Sequence, residues 1–214
     1  MKKIMFNDKY LLTQEVLKGR KTQTRRVLNP TMFFKRMKTY EGWSNEDISA
    51  WKRSCNRRLY EAQGYELQQM LDYALSSSRY KVGEEVAVAQ AYSEFVSEAG
   101  FNEAEINKLR ISKGWTNKMF VKAELMPHLI RITDIRVERL QEISDEDCIA
   151  EGIKKYPEVD KNMWGFSYIK GAALKFELST TPREAYAKLI DHISGKGTWK
   201  NNPYVFVYDF ELIN

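Results

Sequence analysis

The sequence predicts an α+β fold built on a small mixed sheet or partly closed barrel, with helices at its side. Three observations lead to this prediction. Short apolar stretches typical of strands are separated by long excursions, amphipathic helices stand between them, and the last block is a long alternating strand. The irregular spacing does not fit the regular β-α-β alternation of a parallel sheet. A chain of 214 residues can bury a sizeable core as one domain with insertions.

The first third of the sequence predicts a strand, a helix and a basic segment. Residues 4–6 form the strand; Asn7 then caps a helix that runs to about residue 18 and ends at Gly19. Residues 20–26 follow with four cations, some of which a helix C-terminus attracts on its own. Residues 31–79 mix aromatic and basic side chains and contain a helical stripe, which predicts a largely helical insertion. Its aromatic residues either stack on bases or belong to the core.

The middle of the sequence predicts two strands around a second insertion. A turn at Gly83 leads into a strand that reaches residue 88, and residues 93–117 are a polar insertion with weak helical patterning. From Ile130 the residues alternate as in a strand, but the apolar positions change parity after residue 132. Such a shift predicts a β-bulge near Thr133 and Asp134.

The last third predicts two helices and a final strand. Ser144 begins a short helix with three acids in its first turn, Glu151 is its last residue and Gly152 ends it. Residues 154–180 are a third, irregular insertion. Thr181 and a proline then open a helix whose apolar face carries positions 186, 189, 190 and 193. Residues 204–212 form a strand with aromatic side chains on one face.

The charge is distributed unevenly along the chain. Residues 1–60 contain 15 Lys and Arg against 5 Asp and Glu, although the whole chain has a net charge of only +5. Such a segment is typical of a surface that faces a polyanion, unless folding scatters its charges over several faces. No apolar run approaches the length of a membrane span, and the first residues lack the pattern of a signal peptide. We therefore expect a cytoplasmic protein without a membrane partner.

Cysteine and histidine are too sparse for a metal site or a disulfide framework. The two residues of each type are far apart and lack ligand spacing: Cys55, Cys148, His128 and His192. The sequence therefore predicts no metal and no cofactor.

Four blocks of the sequence resemble the ASCH family, in the form found in bacteriophage and prophage genomes. They read GRKTxTxR over 19–26, YKVGE over 80–84, ITDIRVERLQxISDED followed by EG over 132–152, and GKGTW with NPYVFV over 195–207. The blocks cover less than half of the residues, and the insertions at about 31–79, 93–117 and 154–180 lie outside them. The resemblance implies one PUA-like domain over 1–214, a pseudo β-barrel with flanking helices and helical insertions. It also implies a cleft that binds RNA or a modified nucleoside.

One enzymatic branch of the family, the small bacterial N4-acetylcytidine amidohydrolases, uses a Lys, a Thr and a Glu. The resemblance places these catalytic residues at Lys21, Thr24 and Glu151, and substrate-binding roles are expected for the neighbouring Arg20, Thr22 and Arg26. A base would activate the threonine hydroxyl for attack on the acyl carbon, and an acid would protonate the departing amine. Without the resemblance, the same residues read as a helix-end cation, a strand residue and a solvated helix end.

Three functions remain open at this stage. Binding of RNA or a nucleoside ranks first, followed by metal-independent deacylation of an N4-acetylcytidine-like nucleoside. The third is a phage protein-interaction module, in which residues 31–79 contact a host protein. One departure from the family bears on this choice: Ala89 and Gln90 stand where phage-type members carry an Arg-Glu pair. A different ligand or a loss of activity follows if that pair lines the cleft.

Overall fold

The computed structural model describes residues 1–29, 31, 44–97, 99–157 and 162–213, and this part of the chain is mixed α+β. The coarse fold class predicted from the sequence is therefore confirmed. The strands are β1 (Lys2–Ile4), β2 (Gln23–Val27), β3 (Glu85–Val88), β4 (Leu129–Arg139), β5 (Lys154–Lys155), β6 (Trp164–Lys170), β7 (Ala173–Ser179) and β8 (Tyr204–Ile213). The helices are α1 (Leu12–Leu17), α2 (Asn45–Glu61), α3 (Gly64–Ser76), α4 (Glu103–Arg110), α5 (Asp145–Ala150), α6 (Pro182–Ser194) and α7 (Thr198–Asn201).

The main sheet has five strands in the order β1-β3-β4-β8-β2. The long strands β4 and β8 pair antiparallel at its centre, β2 lies at one edge, and β1 lies at the other, parallel to β3. The described strands do not close into a barrel, so the PUA-like barrel stays a prediction. The two edges nevertheless approach each other, because the Arg26 guanidinium on β2 donates a hydrogen bond of 2.7 Å to the carbonyl of Met5, next to β1.

The predicted β-bulge is confirmed at Thr133. Ile132 pairs with Phe210 and Asp134 with Asp209, so Thr133 is the extra residue in β4. The bulge restores the parity of the strand, and Ile132 and Ile135 therefore face the same side of the sheet. This side holds the main core, which α6 covers with Tyr186 and Leu189.

The predicted helix caps have different outcomes. Ser144 accepts a hydrogen bond from the Asp147 amide at the start of α5, and Thr181 caps α6 in front of a proline, as predicted. The helix expected from Asn7 is wrong in extent: Asn7 caps a single 3-10 turn, and α1 begins only at Leu12. The break lies at Leu11, whose φ of 56° is left-handed and cannot continue an α-helix.

The three insertions differ in structure. The described part of 31–79 consists mainly of α2 and α3, while its aromatic and basic residues at 33–43 lie outside the described residues. The segment 93–117 holds α4 and short 3-10 turns around a second, smaller core. Within the described part of the chain, no helix combines the length and apolar composition that a membrane crossing requires.

The prediction that 154–180 is irregular is wrong, and so is the expectation of a helical insertion there. This segment forms the antiparallel sheet β5-β6-β7. The pattern of apolar residues does not predict this sheet, because β7 is largely exposed and does not bury alternate side chains. Lys170 pairs with Ala173 across a two-residue turn that begins at Gly171, with φ of 62°. A glycine at that position is a hairpin signal that the sequence does contain.

Candidate functional site

The structure brings the predicted residues Lys21 and Glu151 into direct contact. Lys21 lies just before β2 and is 2% exposed, and Glu151 follows α5 and is 5% exposed. The Lys21 ammonium donates hydrogen bonds to a Glu151 carboxylate oxygen at 2.6 Å, to the Glu151 carbonyl at 2.8 Å and to the Gln23 carbonyl at 2.6 Å. All three ammonium hydrogens therefore have partners in the interior.

The local sequence around α5 explains why Glu151 reaches this position. The cap at Ser144 and the acids of the first turn begin the helix, and Gly152, with φ of 108°, ends it. A Cβ atom on Gly152 would lie 3.4 Å from Leu12 and 3.8 Å from Cδ of Lys21. The left-handed conformation of Gly152 thus lets the chain change direction directly after Glu151, close to the Lys21 side chain.

Burial lowers the pKa of the Lys21 ammonium, because the charged form loses its hydration. The Glu151 carboxylate acts in the opposite direction, whereas the charges of Arg25 and Arg26 lower this pKa further. Deprotonation of Lys21 to the neutral amine consequently costs less free energy here than for a lysine in water. A proton moving along the 2.6 Å contact would leave a neutral amine beside a carboxylic acid.

Arg25 is a buried member of the site to which sequence reasoning assigned no catalytic or substrate-binding role. Its guanidinium contacts Glu138 and Asp147 at 2.6 Å and Glu151 at 3.4 Å, and it donates a short hydrogen bond to the Gln23 side chain. Burial alone would lower the pKa of Arg25, but these carboxylates outweigh it and raise that pKa. Arg25 therefore stays charged and attaches α5 to the sheet.

Thr24 lines a small cavity together with the charged pair. It is 5% exposed, it pairs with Tyr208 of β8, and its hydroxyl has no hydrogen-bond partner among the residues that the structure describes. The cavity has a volume of about 50 Å³, and Lys21, Glu151 and Tyr186 also line it. We call it the inner cavity. A hydroxyl without a partner beside a lysine and a carboxylate can bind a ligand or act as a nucleophile.

Two larger cavities adjoin the inner cavity at Arg26, which lines all three. The outer cavity, of about 880 Å³, is lined by Arg26 together with Lys52 and Tyr204, among others. The tyrosine cavity, of about 430 Å³, is lined by Arg26, Arg79 and the tyrosines 80 and 208, among others. Both volumes lie within the range of roughly 300–1,000 Å³ that is typical of ligand pockets.

Four of the six predicted site residues line the inner cavity: Lys21, Thr24, Arg26 and Glu151. The other two lie elsewhere. Arg20 is half exposed and makes a two-point ion pair with Glu15, and Thr22 is exposed and bonds through its backbone to Ala150. Neither lines any of the three cavities.

The departure from the family pattern at Ala89 and Gln90 also lies outside the three cavities. The Gln90 side-chain oxygen is 2.9 Å from Nδ1 of His128.

Sequence reasoning missed Tyr186, which lines the inner cavity from α6. The available signal was a tyrosine within an otherwise apolar helix face, because a buried phenol brings a polar group into the core.

No family model, curated protein or solved structure matches this chain. No group of histidine, cysteine, aspartate or glutamate residues in the described ranges is arranged to hold a metal ion. The carboxylates beside Arg25 instead form ion pairs with it and with Arg136. The features that indicate a function are therefore the cavities, the residues that line them and the sequence motifs.

Proposed function

We propose that this protein is an ASCH-type protein whose cleft beside β2 binds RNA or a modified nucleoside. The observation that carries the proposal is the position of Arg26 at the junction of the inner cavity and two ligand-sized cavities. A nucleoside fits the larger volumes, and a polar substituent of it can enter the inner cavity. The GRKTxTxR block supports the same conclusion, because four of its residues line the inner cavity: Lys21, Thr24, Arg25 and Arg26.

The chemistry of the cleft suits a nucleotide. Arg26 is exposed and, among the described residues, donates one hydrogen bond, to the Met5 carbonyl. Its other N–H groups can therefore bind a phosphate. Lys52 and Arg79 add positive charge on the two sides of Arg26. Aromatic side chains line the tyrosine cavity, including the largely buried Tyr80 and Tyr208, and form an apolar wall against which a base can pack.

Binding of a fluorescent single-stranded RNA to the Arg26→Gln variant tests the proposal. The substitution removes a charge at the junction while keeping a polar side chain, so we expect affinity to fall about 5- to 20-fold. Lys175→Gln is the matched control, because Lys175 is an exposed cation on β7, outside the cleft. Equal affinity in the Arg26 and Lys175 variants, or no binding by the wild type, would contradict RNA binding in this cleft.

A second candidate function is metal-independent hydrolysis of an N-acylated nucleoside. The Lys21–Glu151 contact of 2.6 Å and the unpartnered hydroxyl of Thr24 in one cavity favour it. After proton transfer within the pair, neutral Lys21 takes the proton of the Thr24 hydroxyl while its oxygen attacks the acyl carbon. The C–N bond breaks, and the Glu151 carboxylic acid protonates the departing amine.

The acyl-threonine then reacts with water. The Glu151 carboxylate takes a proton from the water, and the hydroxide oxygen bonds to the acyl carbon. The bond between that carbon and the threonine oxygen breaks, and the Lys21 ammonium returns a proton to the threonine oxygen. This releases the carboxylic acid and leaves the Thr24 hydroxyl, neutral Lys21 and protonated Glu151, and a proton transfer from Glu151 to Lys21 restores the ion pair. Every proton is supplied by these three residues and water, so the cycle balances with this chain's own groups.

Turnover of N4-acetylcytidine by the Thr24→Val variant tests this candidate. Valine keeps the shape of the side chain but removes the nucleophile, and we expect release of cytidine to fall at least 1,000-fold, to background. The unfolding midpoint should hardly change, because the lost hydroxyl has no hydrogen bond to lose. Thr24→Ser should retain activity. Equal turnover in the valine variant would exclude an acyl-threonine.

A docking role for the insertion at 31–79 remains a prediction. Its described helices α2 and α3 do not by themselves indicate a partner, and residues 33–43 lie outside the described part of the chain.

A further inference from the structure

The inner cavity contains a buried tyrosine hydroxyl that no other group satisfies. Tyr186 is 2% exposed and lines the cavity from α6, and its hydroxyl has no hydrogen-bond partner among the described residues. Buried polar atoms are almost always hydrogen-bonded in folded proteins, so each exception needs an explanation. Burial raises the pKa of the Tyr186 phenol well above its usual value, which keeps the hydroxyl protonated and able to donate.

The other groups of the cavity define what this hydroxyl can bind. Lys21 and Glu151 satisfy each other, and Arg25 is occupied by carboxylates. Among the described side chains that are buried in the cavity wall, those without a hydrogen-bond partner are thus the neutral hydroxyls of Thr24 and Tyr186, while the charged Arg26 is exposed and lies at the junction with the larger cavities. The Glu151 carboxylate would repel an anion, and the buried cations would repel a cation. A neutral hydrogen-bond acceptor avoids both repulsions and the cost of burying a charge. A volume of about 50 Å³ also suits a group of a few atoms.

We propose that the inner cavity binds a neutral carbonyl group of the ligand, with the Tyr186 hydroxyl donating a hydrogen bond to its oxygen. The inference rests on the proposed function and deepens it: the preferred nucleoside carries a carbonyl-containing substituent such as an amide. Tyr186 then determines specificity, because a ligand without that oxygen leaves the buried hydroxyl without a partner. The role is the same whether the bound amide is only recognised or is also hydrolysed.

A pair of ligands that differ only in this oxygen tests the inference. N4-acetylcytidine carries the carbonyl, and N4-ethylcytidine has a methylene group in its place. Binding is followed by rapid-mixing tryptophan fluorescence, before turnover, because the Trp199 ring lies 6.3 Å from the Tyr186 ring. The protein variants are Tyr186→Phe and, as a matched control, Ser179→Ala, which removes another buried hydroxyl without a partner in the described structure, on β7.

We expect the wild type and Ser179→Ala to bind the acetyl compound roughly 2- to 10-fold more tightly than the ethyl compound. In Tyr186→Phe this preference should disappear while the affinity for the ethyl compound is unchanged. Thermal unfolding provides the folding control, since removal of an unsatisfied hydroxyl should leave the unfolding midpoint equal or higher.

Two results would overturn the inference. One is a wild type that binds both compounds equally, and the other is a Tyr186→Phe variant that keeps the full preference. Both leave the proposed nucleoside binding intact. Binding of neither compound by the folded wild type would instead overturn nucleoside binding itself, and the inference with it.

Discussion

At the scale of single residues, Lys21 combines a structural and a chemical role. Its ammonium is enclosed by three oxygen acceptors, which explains how a charge can lie at 2% exposure in this interior. The same enclosure aligns it with Glu151 and positions it beside Thr24 in the inner cavity. Loss of the lysine should therefore affect stability as well as any chemistry.

We predict that Lys21→Met lowers the free energy of unfolding by about 3–5 kcal/mol. The substitution removes the ammonium that neutralises Glu151. Among the described residues, this buried carboxylate then keeps only the longer contact of 3.4 Å to Arg25. Urea unfolding measures the change. The double variant Lys21→Met/Glu151→Leu should recover part of the loss, because it removes the stranded charge as well. A single variant as stable as the wild type would show that the pair is not buried as described.

The residues of the site differ in how far sequence alone can reveal them. Lys21 and Thr24 lie within one short motif, and Glu151 lies in a second block, so a family resemblance suffices to find them. Arg25 stands in the same motif, but its role depends on Glu138 and Asp147, more than 110 residues away. Such contacts are created by the fold and leave no local periodic signal.

At the scale of secondary-structure elements, α5 is attached to the sheet by ion pairs. Asp147 on α5 contacts Arg25 of β2 at 2.6 Å and Arg136 of β4 at 2.9 Å. Burial alone would raise the pKa of Asp147, but hydrogen bonds from Arg25 and Gln23 outweigh it and lower that pKa. The helix that carries Glu151 is therefore held by a carboxylate that must stay ionised.

We predict that this attachment weakens in acid. A carboxyl whose folded pKa lies below its unfolded value of about 3.9 stabilises the fold fully above that value, and the contribution is lost as the pH falls through the lower, folded pKa. Asp147→Asn should lower stability at pH 7 and reduce the slope of stability against pH below about 4. Thermal unfolding between pH 2.5 and 7 measures both. An unchanged acid slope in this variant would contradict the assignment.

The elements themselves were predictable where local chemistry determines them. The caps at Ser144 and Thr181, the bulge at Thr133 and the long strand β8 follow from local residue types and from alternation. Apolar alternation does not predict strand β2, because this edge strand buries Arg25. Pairing with β8, not its own composition, makes it a strand.

At the scale of the whole molecule, several described cations of the N-terminal part have acidic partners of their own. Lys2 pairs with Glu84, Arg20 pairs with Glu15, and Arg25 is buried among carboxylates. For these residues, folding therefore distributes the positive charges over several faces, which is the alternative that the sequence left open. Within the described part of the chain, the cations that remain for a polyanion at the cleft are Arg26, Lys52 and Arg79.

We predict that RNA affinity depends only moderately on salt. Three cleft cations, each releasing about 0.7 counterions from a single strand, give a slope of log K against log salt concentration of about −2. Arg79→Gln should make this slope shallower by about 0.7, while Lys175→Gln, outside the cleft, should not alter it. Fluorescence anisotropy between 50 and 300 mM salt measures the slopes. A slope near zero would contradict phosphate contacts.

A calorimetric titration with N4-acetylcytidine tests whether a modified nucleoside binds in the cleft with its substituent in the inner cavity. Wild type is compared with Ile190→Phe, in which a larger side chain on the α6 wall fills the inner cavity. Thermal unfolding verifies that the variant is folded. We expect saturable binding at one site per chain in the wild type and at least 10-fold weaker binding in the variant. No saturable binding by the wild type, or equal affinity in both proteins, would show that the nucleoside does not bind there.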